Sequence, residues 1–501
     1  MQHALWHRVY ITNQKDTARA RCRSFPALGH AQASVAGKGV RRMSVFSLSN
    51  LKKTWNYLQK NGIRNAVWAV LERIGQEQEV YTWQEPDEKT LSFQREHSAS
   101  LRISIVVPAY RTKKEHLEAM LNSVSRQSYP HWELIVADAG GTAESVQAWA
   151  KKNGICLRKA ADASNLAEWM DQSIMLCTLS ENKGISANTN AGIELAAGDA
   201  VGLLDHDDLL TANALWEMAD CLEKEKKRGK QKLVLFSDED KCDGAASRFY
   251  EPNFKPDFDG ELLLTNNYIC HFTVIETAFL KELKLRSGFD GAQDYDLMLR
   301  AYAAGGQFVH VPKVLYHWRC HEASTASNPQ SKRYAYEAGQ RALEDYCLRK
   351  GWKATVSGLK HLGFYREDYE DSVFCQRPEI GIWAKPLPGG RDIFGIRHPK
   401  GFLVSGLYEN DGSMRYAGLR KGYSGPMHRA ALQQSAPAAD LRSMEVCSAL
   451  KERYAQTIAE LKEACQGLPT AAQETKILQK SMEFCKEATA AGYGILWDPQ
   501  A

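Results

Sequence analysis

Apolar positions are thinly spread over the first hundred residues and become regular after them. Residues 43–75 space Trp55, Leu58, Val67, Val70 and Leu71 along one helical face, and a polar run to about Ser100 reads as a linker. At Ile103-Ser-Ile-Val-Val107 the texture changes to a short apolar run of the kind that forms a buried strand, ended by Pro108. Leu117, Met120, Leu121 and Val124 then share a helical face, Trp132 to Ala137 reads as a second strand, and residues 142–152 as a second helix. Further on, Ala187 to Ala197 predicts a helix and Ala200-Val-Gly-Leu-Leu204 a strand. Strand and helix alternating at this interval require crossover connections, so the pattern predicts an α/β domain built on a largely parallel sheet.

Chemistry is expected where those strands end, because open α/β sheets bind ligands outside their carboxyl ends. Asp205-His-Asp-Asp208 follows a predicted strand directly. Carboxylates this close repel one another unless a cation or hydrogen-bond donors compensate, so the cluster reads as a metal site or, more blandly, as a solvated turn capping the next helix. A second acidic pair, Gln293-Asp-Tyr-Asp296, opens a predicted helix, where Asp294 could act as a base or simply cap backbone N–H groups. His317, in Tyr316-His-Trp-Arg319, ends a strand and could offer an imidazole to a metal, although a lone histidine is more often structural. Pro108-Ala-Tyr110 and Asp138-Ala-Gly-Gly-Thr142 follow the first two strands, where an aromatic ring could pack on a base and a carboxylate could accept hydrogen bonds. Ordinary turn chemistry would account for both. Lys183, in Glu181-Asn-Lys-Gly-Ile-Ser186, precedes a helix N-terminus, a place suited to phosphate.

Composition narrows the class. The 501 residues are 44% apolar and 25% charged, ordinary values for a soluble globular protein. Net charge is +4, but residues 1–42 alone carry +7, which leaves the remainder at −3 and gives no electrostatic reason to expect a nucleic-acid partner. That basic opening stretch reads as a disordered or mis-started extension ahead of Met43, with a transit peptide as the other reading of the same composition. The twelve cysteines include no C-x-x-C pair, so they read as reduced thiols in a cytoplasmic setting, and zinc is not expected. No stretch approaches the roughly eighteen apolar residues that cross a bilayer.

Taken in order, the Pro108-Ala-Tyr110 start, Asp138, Asn182-Lys-Gly184, Asn188-x-Asn190, Leu204-Asp-His-Asp-Asp208, Gln293-Asp294 and His317-Trp-Arg319 resemble an inverting family 2 glycosyltransferase of the GT-A fold, over roughly residues 100–350. The similarity is greatest to bacterial enzymes that build rhamnan and other surface polysaccharides. The resemblance implies a nucleotide-diphosphate sugar donor held by Pro108, Tyr110, Asp138, Lys183, Asn190 and Asp205, and a divalent cation, manganese or magnesium, on Asp205, Asp207 and His317. Asp294 matches the catalytic base. A glycan or lipid-linked glycan would be the acceptor, the latter bringing the chain to the inner face of the membrane.

Two departures weaken the base-binding part: the carboxylate usual after Asp138 is Ala139, and residues 160–178 look inserted. The implied organisation is an extension over 1–42, a helical preface over 43–100, a GT-A domain over 101–355, and a partial, non-catalytic α/β repeat over 356–501. The repeat rests on Ala303-Ala-Gly-Gly-Gln-Phe-Val-His-Val-Pro312 and Ala490-Ala-Gly-Tyr-Gly-Ile-Leu-Trp-Asp-Pro499, which match at an offset of 187, and on Gly406 to Gly418, which resembles the stretch after the metal motif. Asp294 would then fall on Ser481. A sugar nucleotidyltransferase and a non-catalytic nucleotide-sugar or glycan scaffold are the competing readings. The first usually carries a glycine-rich phosphate loop where this chain has Pro108-Ala-Tyr-Arg111.

Overall fold

The computed structural model describes residues 81–161, 170–320, 333–359, 363–370, 372–384, 406–407, 444–464 and 483–497. The expectations for residues 1–42, for the helix over 43–75, for Ser481 and for most of the Gly406 to Gly418 stretch lie outside these residues. The described residues from Gln84 onward fall in one compact unit.

The predicted alternation is present. Strand β1 (Ile103–Ala109) leads to helix α1 (Lys114–Ser125), β2 (Trp132–Asp138) to α2 (Ala143–Asn153), and β3 (Cys156–Lys159) precedes β4 (Ser173–Thr178). Helix α3 (Ile185–Leu195) returns the chain to β5 (Ala200–Leu203), and short β6 (Leu209–Leu210) is followed by α4 (Ala214–Lys227). Then come β7 (Leu233–Asp243), β8 (Phe249–Asn253), α5 (Gly260–Thr265), β9 (Thr273–Glu276), α6 (Thr277–Leu283), α7 (Gln293–Ala303), β10 (Gln307–Cys320) and α8 (Arg333–Arg349). These strands form one ten-stranded sheet in the order β3-β4-β2-β1-β5-β9-β7-β10-β6, with β8 added beside β7. The β3-to-β5 half is parallel, β9 runs antiparallel to both β5 and β7, and β10 is again parallel to β7. The architecture is therefore a mixed α/β sheet flanked by helices.

Burial on both faces explains why β1 reads as an unbroken apolar run. Val106 packs with Ile135, Val201 and Ile193 on one side, while Ile105 and Val107 join Leu117, Leu134 and Met218 on the other. Two sequence expectations change. Pro108 lies within β1 rather than ending it: β1 pairs with β5 only as far as Val106, and with β2 as far as Ala109, so the missing N–H falls where no ladder partner stands. Residues 160–178 are not simply an insertion, since Ser173–Thr178 is β4, paired in parallel with β2 from Ser173 to Thr178. The polar positions at its start and end hid it.

A buried carboxylate fastens this half of the sheet. Glu133 accepts from the Ser104 hydroxyl at 2.7 Å, the Ala197 amide at 3.0 Å and Arg158 at 2.9 Å, tying β2 to β1, β3 and the turn into β5.

Beyond α8, β11 (Ala354–Gly358) and β12 (Tyr365–Tyr369) form a hairpin ladder, and β14-β16-β13-β15 a separate sheet: β13 Ile380–Ala384, β14 Gly406–Leu407, β15 Met444–Val446, β16 Gly494–Trp497. There β16 is parallel to β13, whose other neighbour, β15, is antiparallel. The same relation joins β10, β7 and β9. The matched segments also share a helix end, a left-handed glycine (Gly305 at φ 77°, Gly492 at φ 88°) and a strand, so the faint sequence repeat corresponds to a repeated local topology. Among the described residues no helix is long and apolar enough to cross a membrane.

Glu133→Ala should lower unfolding stability by about 3 kcal/mol, because it strands Arg158 and the Ser104 hydroxyl in the interior. Urea denaturation of the two proteins measures the difference.

Candidate active site

Three parallel strands, β2, β1 and β5, bring Asp138, Tyr110 and Asp205 to adjacent carboxyl ends of the sheet. With strands spaced at about 4.8 Å, the ends of β2 and β5 stand roughly 10 Å apart, room for a nucleoside and its phosphates.

On the β2 side, Tyr110 is 39% exposed and lies against Gly140, and the Arg111 guanidinium sits 5.0 Å from its ring. The ring is therefore presented beside the loop that Asp138 organises. Asp138 itself is turned inward. Its carboxylate is buried and accepts from the backbone N–H groups of Gly140 (3.1 Å), Thr142 (3.2 Å) and Ala143 (2.9 Å), so it builds the turn into α2. Pro108 is half-buried beneath this loop.

The Lys183 segment differs from its expected phosphate role. At the N-terminus of α3 the anion already present is the Asp290 carboxylate, which accepts from the Ser186 N–H at 3.3 Å. Gly184 makes that approach feasible, with φ at 94° and a would-be Cβ only 2.3 Å from Asp290 Oδ2. The exposed Lys183 ammonium pairs with Glu181 at 3.1 Å. Asn190 is also committed: its amide gives to the Leu285 carbonyl at 2.8 Å and takes from the Leu285 N–H at 2.9 Å, fastening α3 to the chain before α7.

The acidic cluster after β5 forms the centre. Asp208 is buried and accepts from the Tyr316 hydroxyl (2.5 Å) and the Arg319 N–H (2.7 Å), and Arg319 Nε donates to the Asp207 carbonyl at 2.5 Å. Burial first, then the charges of Asp207 and Asp205, push the Asp208 carboxyl well above the usual range. Asp205 is half-buried and also raised, by desolvation and by Asp207 and Asp294, against the opposing pull of His271 and His206.

Asp294 lies in the first turn of α7, and Asn267 holds its Oδ2 with an N–H···O bond of 2.9 Å. Two residues on, the helix turns Asp296 the other way, into a buried network with Arg286 and Arg300 that fixes the frame of α7.

His317 has a carboxylate partner of its own. It is 3% exposed, packs on Phe249 at 4.2 Å, and its Nδ1 lies 2.5 Å from Asp240. Its strand neighbour Tyr316 points to the other face of β10, toward Asp208, and successive strand side chains alternate. Two further imidazoles stand beside the carboxylates, His271 and His206. His271 Nε2 is 3.8 Å from Asp205, its Nδ1 is 3.2 Å from Glu239, and its ring stacks on Tyr316 at 4.9 Å. His206 Nδ1 is buried without a hydrogen-bond partner, 3.9 Å from Asp207. Among the described residues no three His, Cys, Asp or Glu side chains come together closely enough to hold a metal ion. The mutually repelling carboxylates suit a hard cation, but this chain would supply only part of its coordination.

Sequence reasoning missed His271, Glu239 and Asn267. His271 and Asn267 stand in an irregular turn with no acidic companion nearby in the chain, Glu239 lies in the acidic run Asp238-Glu239-Asp240 within β7, and only β7 and β9 being neighbours brings them to Asp205.

The family model described as Glycosyl transferase family 2 matches residues 104–283. The uncharacterized protein y4gI of Sinorhizobium fredii is 36% identical over 255 residues, 50% of this chain and 26% of that protein. The O-antigen biosynthesis protein RfbC of Myxococcus xanthus is 34% identical over 256 residues, 51% of this chain and 19% of that protein. The amylovoran biosynthesis glycosyltransferase AmsB of Erwinia amylovora is 27% identical over 231 residues, 43% of this chain and 70% of that protein. The chain thus spans about a quarter or less of the first two relatives.

Burial depresses the His271 imidazole, but the Glu239 hydrogen bond and the charges of Glu239, Asp205 and Asp208 outweigh it and raise it to about 9. Pairing of this cation should stabilise the fold fully below about pH 6.5 and fade as pH rises through about 9. Histidine NMR should follow that titration, and the stability gap between wild type and His271→Gln should narrow over the same interval.

Proposed function

With residues 104–283 forming a glycosyl transferase family 2 domain, we propose that the chain transfers a glycosyl group from a nucleotide-diphosphate sugar to a hydroxyl of a glycan or lipid-linked glycan, with inversion, in surface-polysaccharide synthesis. The observation that supports this most is that one short turn reaches both carboxylates, Asn267 bonding Asp294 at 2.9 Å and His271 standing 3.8 Å from Asp205, although the two acids come from opposite halves of the domain. The donor's base and ribose lie by Tyr110 and the Asp138 loop, and its diphosphate runs toward Asp205.

Asp294 takes the proton of the acceptor hydroxyl as its oxygen attacks the anomeric carbon, and the bond to the diphosphate breaks on the opposite side. A positioned base of this kind contributes about a hundred- to ten-thousand-fold. Single in-line displacement inverts the anomeric centre and needs one base. Asp205 and Asp207 would hold a manganese or magnesium ion, which would supply positive charge to offset the charge that develops on the leaving diphosphate. Asp208, fixed by Tyr316 and Arg319, keeps those two carboxylates in place. A lipid-linked acceptor would bring a cytoplasmic enzyme to the inner membrane face, and the RfbC and AmsB names, O-antigen and amylovoran biosynthesis, support the place in polysaccharide synthesis.

Purified protein with manganese and a panel of nucleotide sugars should slowly hydrolyse one donor, and a chelator should stop it. Asp294→Asn should cut transfer at least about a hundredfold while donor affinity stays within about twofold. A variant retaining a tenth of wild-type turnover would remove Asp294 from this role.

A further inference from the structure

The most costly burial near the site belongs to a residue that the chemistry above does not use. Lys255 is fully enclosed, its side chain 0% exposed, beside the equally enclosed Glu239. An ammonium buried this way is retained only when its donors are satisfied. Its Nζ reaches Glu239 at 3.3 Å, the Ile269 carbonyl at 3.0 Å and the His271 carbonyl. Its own N–H is held by Asp238 at 2.8 Å, so the residue is fixed at both ends.

The two carbonyls lie in one short segment, and that segment serves both sides of the cleft. At its start, Asn267 donates to Asp294 Oδ2 at 2.9 Å; at its end, His271 stands 3.8 Å from Asp205. The Cys270 thiol bonds back to the Asn267 carbonyl at 3.2 Å and closes the turn between them. Glu239 adds a second hold, accepting from both Lys255 and His271.

We propose that Lys255 is a positioning residue that stakes residues 267–271, so that Asn267 and His271 set the separation between the base Asp294 and the donor-side carboxylate Asp205. The proposal rests on the glycosyltransferase reading for its catalytic consequence but not for the geometry itself. Lys255 touches neither substrate. It acts through two residues with different jobs, which gives it a signature that general destabilisation lacks.

The test compares Asn267→Ala, His271→Ala, Lys255→Met and Glu239→Gln in the full chain, using the donor identified by hydrolysis. Asn267→Ala should lower kcat by about tenfold with donor KM unchanged, since Asp294 loses the group that holds its Oδ2 in place. His271→Ala should raise donor KM by about tenfold and leave kcat within about twofold. Lys255→Met should do both, and should add little when combined with either. A folded Lys255→Met with only one of these effects, or with effects additive to both, overturns the proposal.

Should Lys255→Met not fold, Glu239→Gln keeps the ammonium on its two carbonyls. It should raise donor KM alone, and a lowered kcat would count against the assignment. Should wild type turn over no nucleotide sugar, the catalytic reading fails, yet amide exchange still decides the geometry: residues 266–272 should exchange faster in Lys255→Met than in wild type, and unchanged protection overturns the proposal.

Discussion

Three carboxylates within four residues, held at the end of a central strand, repel one another, and much of the surrounding structure is arranged around that repulsion. Asp208 is relieved by the Tyr316 hydroxyl and the Arg319 amide, and so becomes part of the scaffold. Asp205 keeps its raised affinity for a proton, facing Asp207 and Asp294 with only His271 and His206 to oppose them. Carboxylates crowded at a ligand-binding edge are a place where a cation would lower the free energy. The remaining strands, turns and buried ion pairs can be understood as what keeps that centre open.

Topology supplies the means. Inserting antiparallel β9 between β5 and β7 places the chain just before it, residues 267–272, directly across from the acidic cluster. The segment enters β9 beside Glu239 of β7 and leaves its other end against α7. Helix α7 is in turn locked by the Asp296, Arg286 and Arg300 network, and α3 is locked to the turn before α7 through Asp290 and Asn190. Residues first noticed as ligand candidates therefore do structural work that fixes the ligand-binding groups. Asp138 is the same case on the opposite side, spending its carboxylate on the turn that presents Tyr110.

Reading the chain alone located β1, β2, β5 and the helices between them, because buried strands and amphipathic helices have distinct periodicities. It found Asp205, Asp207 and Asp294 because acidic pairs at element ends stand out against apolar neighbours. It missed β3 and β4, which are short and partly polar, and it missed the Asp240 partner of His317, which the pairing of β10 with β7 brings beside that imidazole.

The sequence by itself determined the α/β class, the strand ends that carry the acids and the family resemblance, since each is written in local spacing and short-range order. Only the tertiary structure decided which groups share the cleft. That choice depends on strand order, on the face each side chain takes and on which polar atoms the fold itself consumes, and all three are set by contacts between residues tens of positions apart. His271 stands beside Asp205 for that reason.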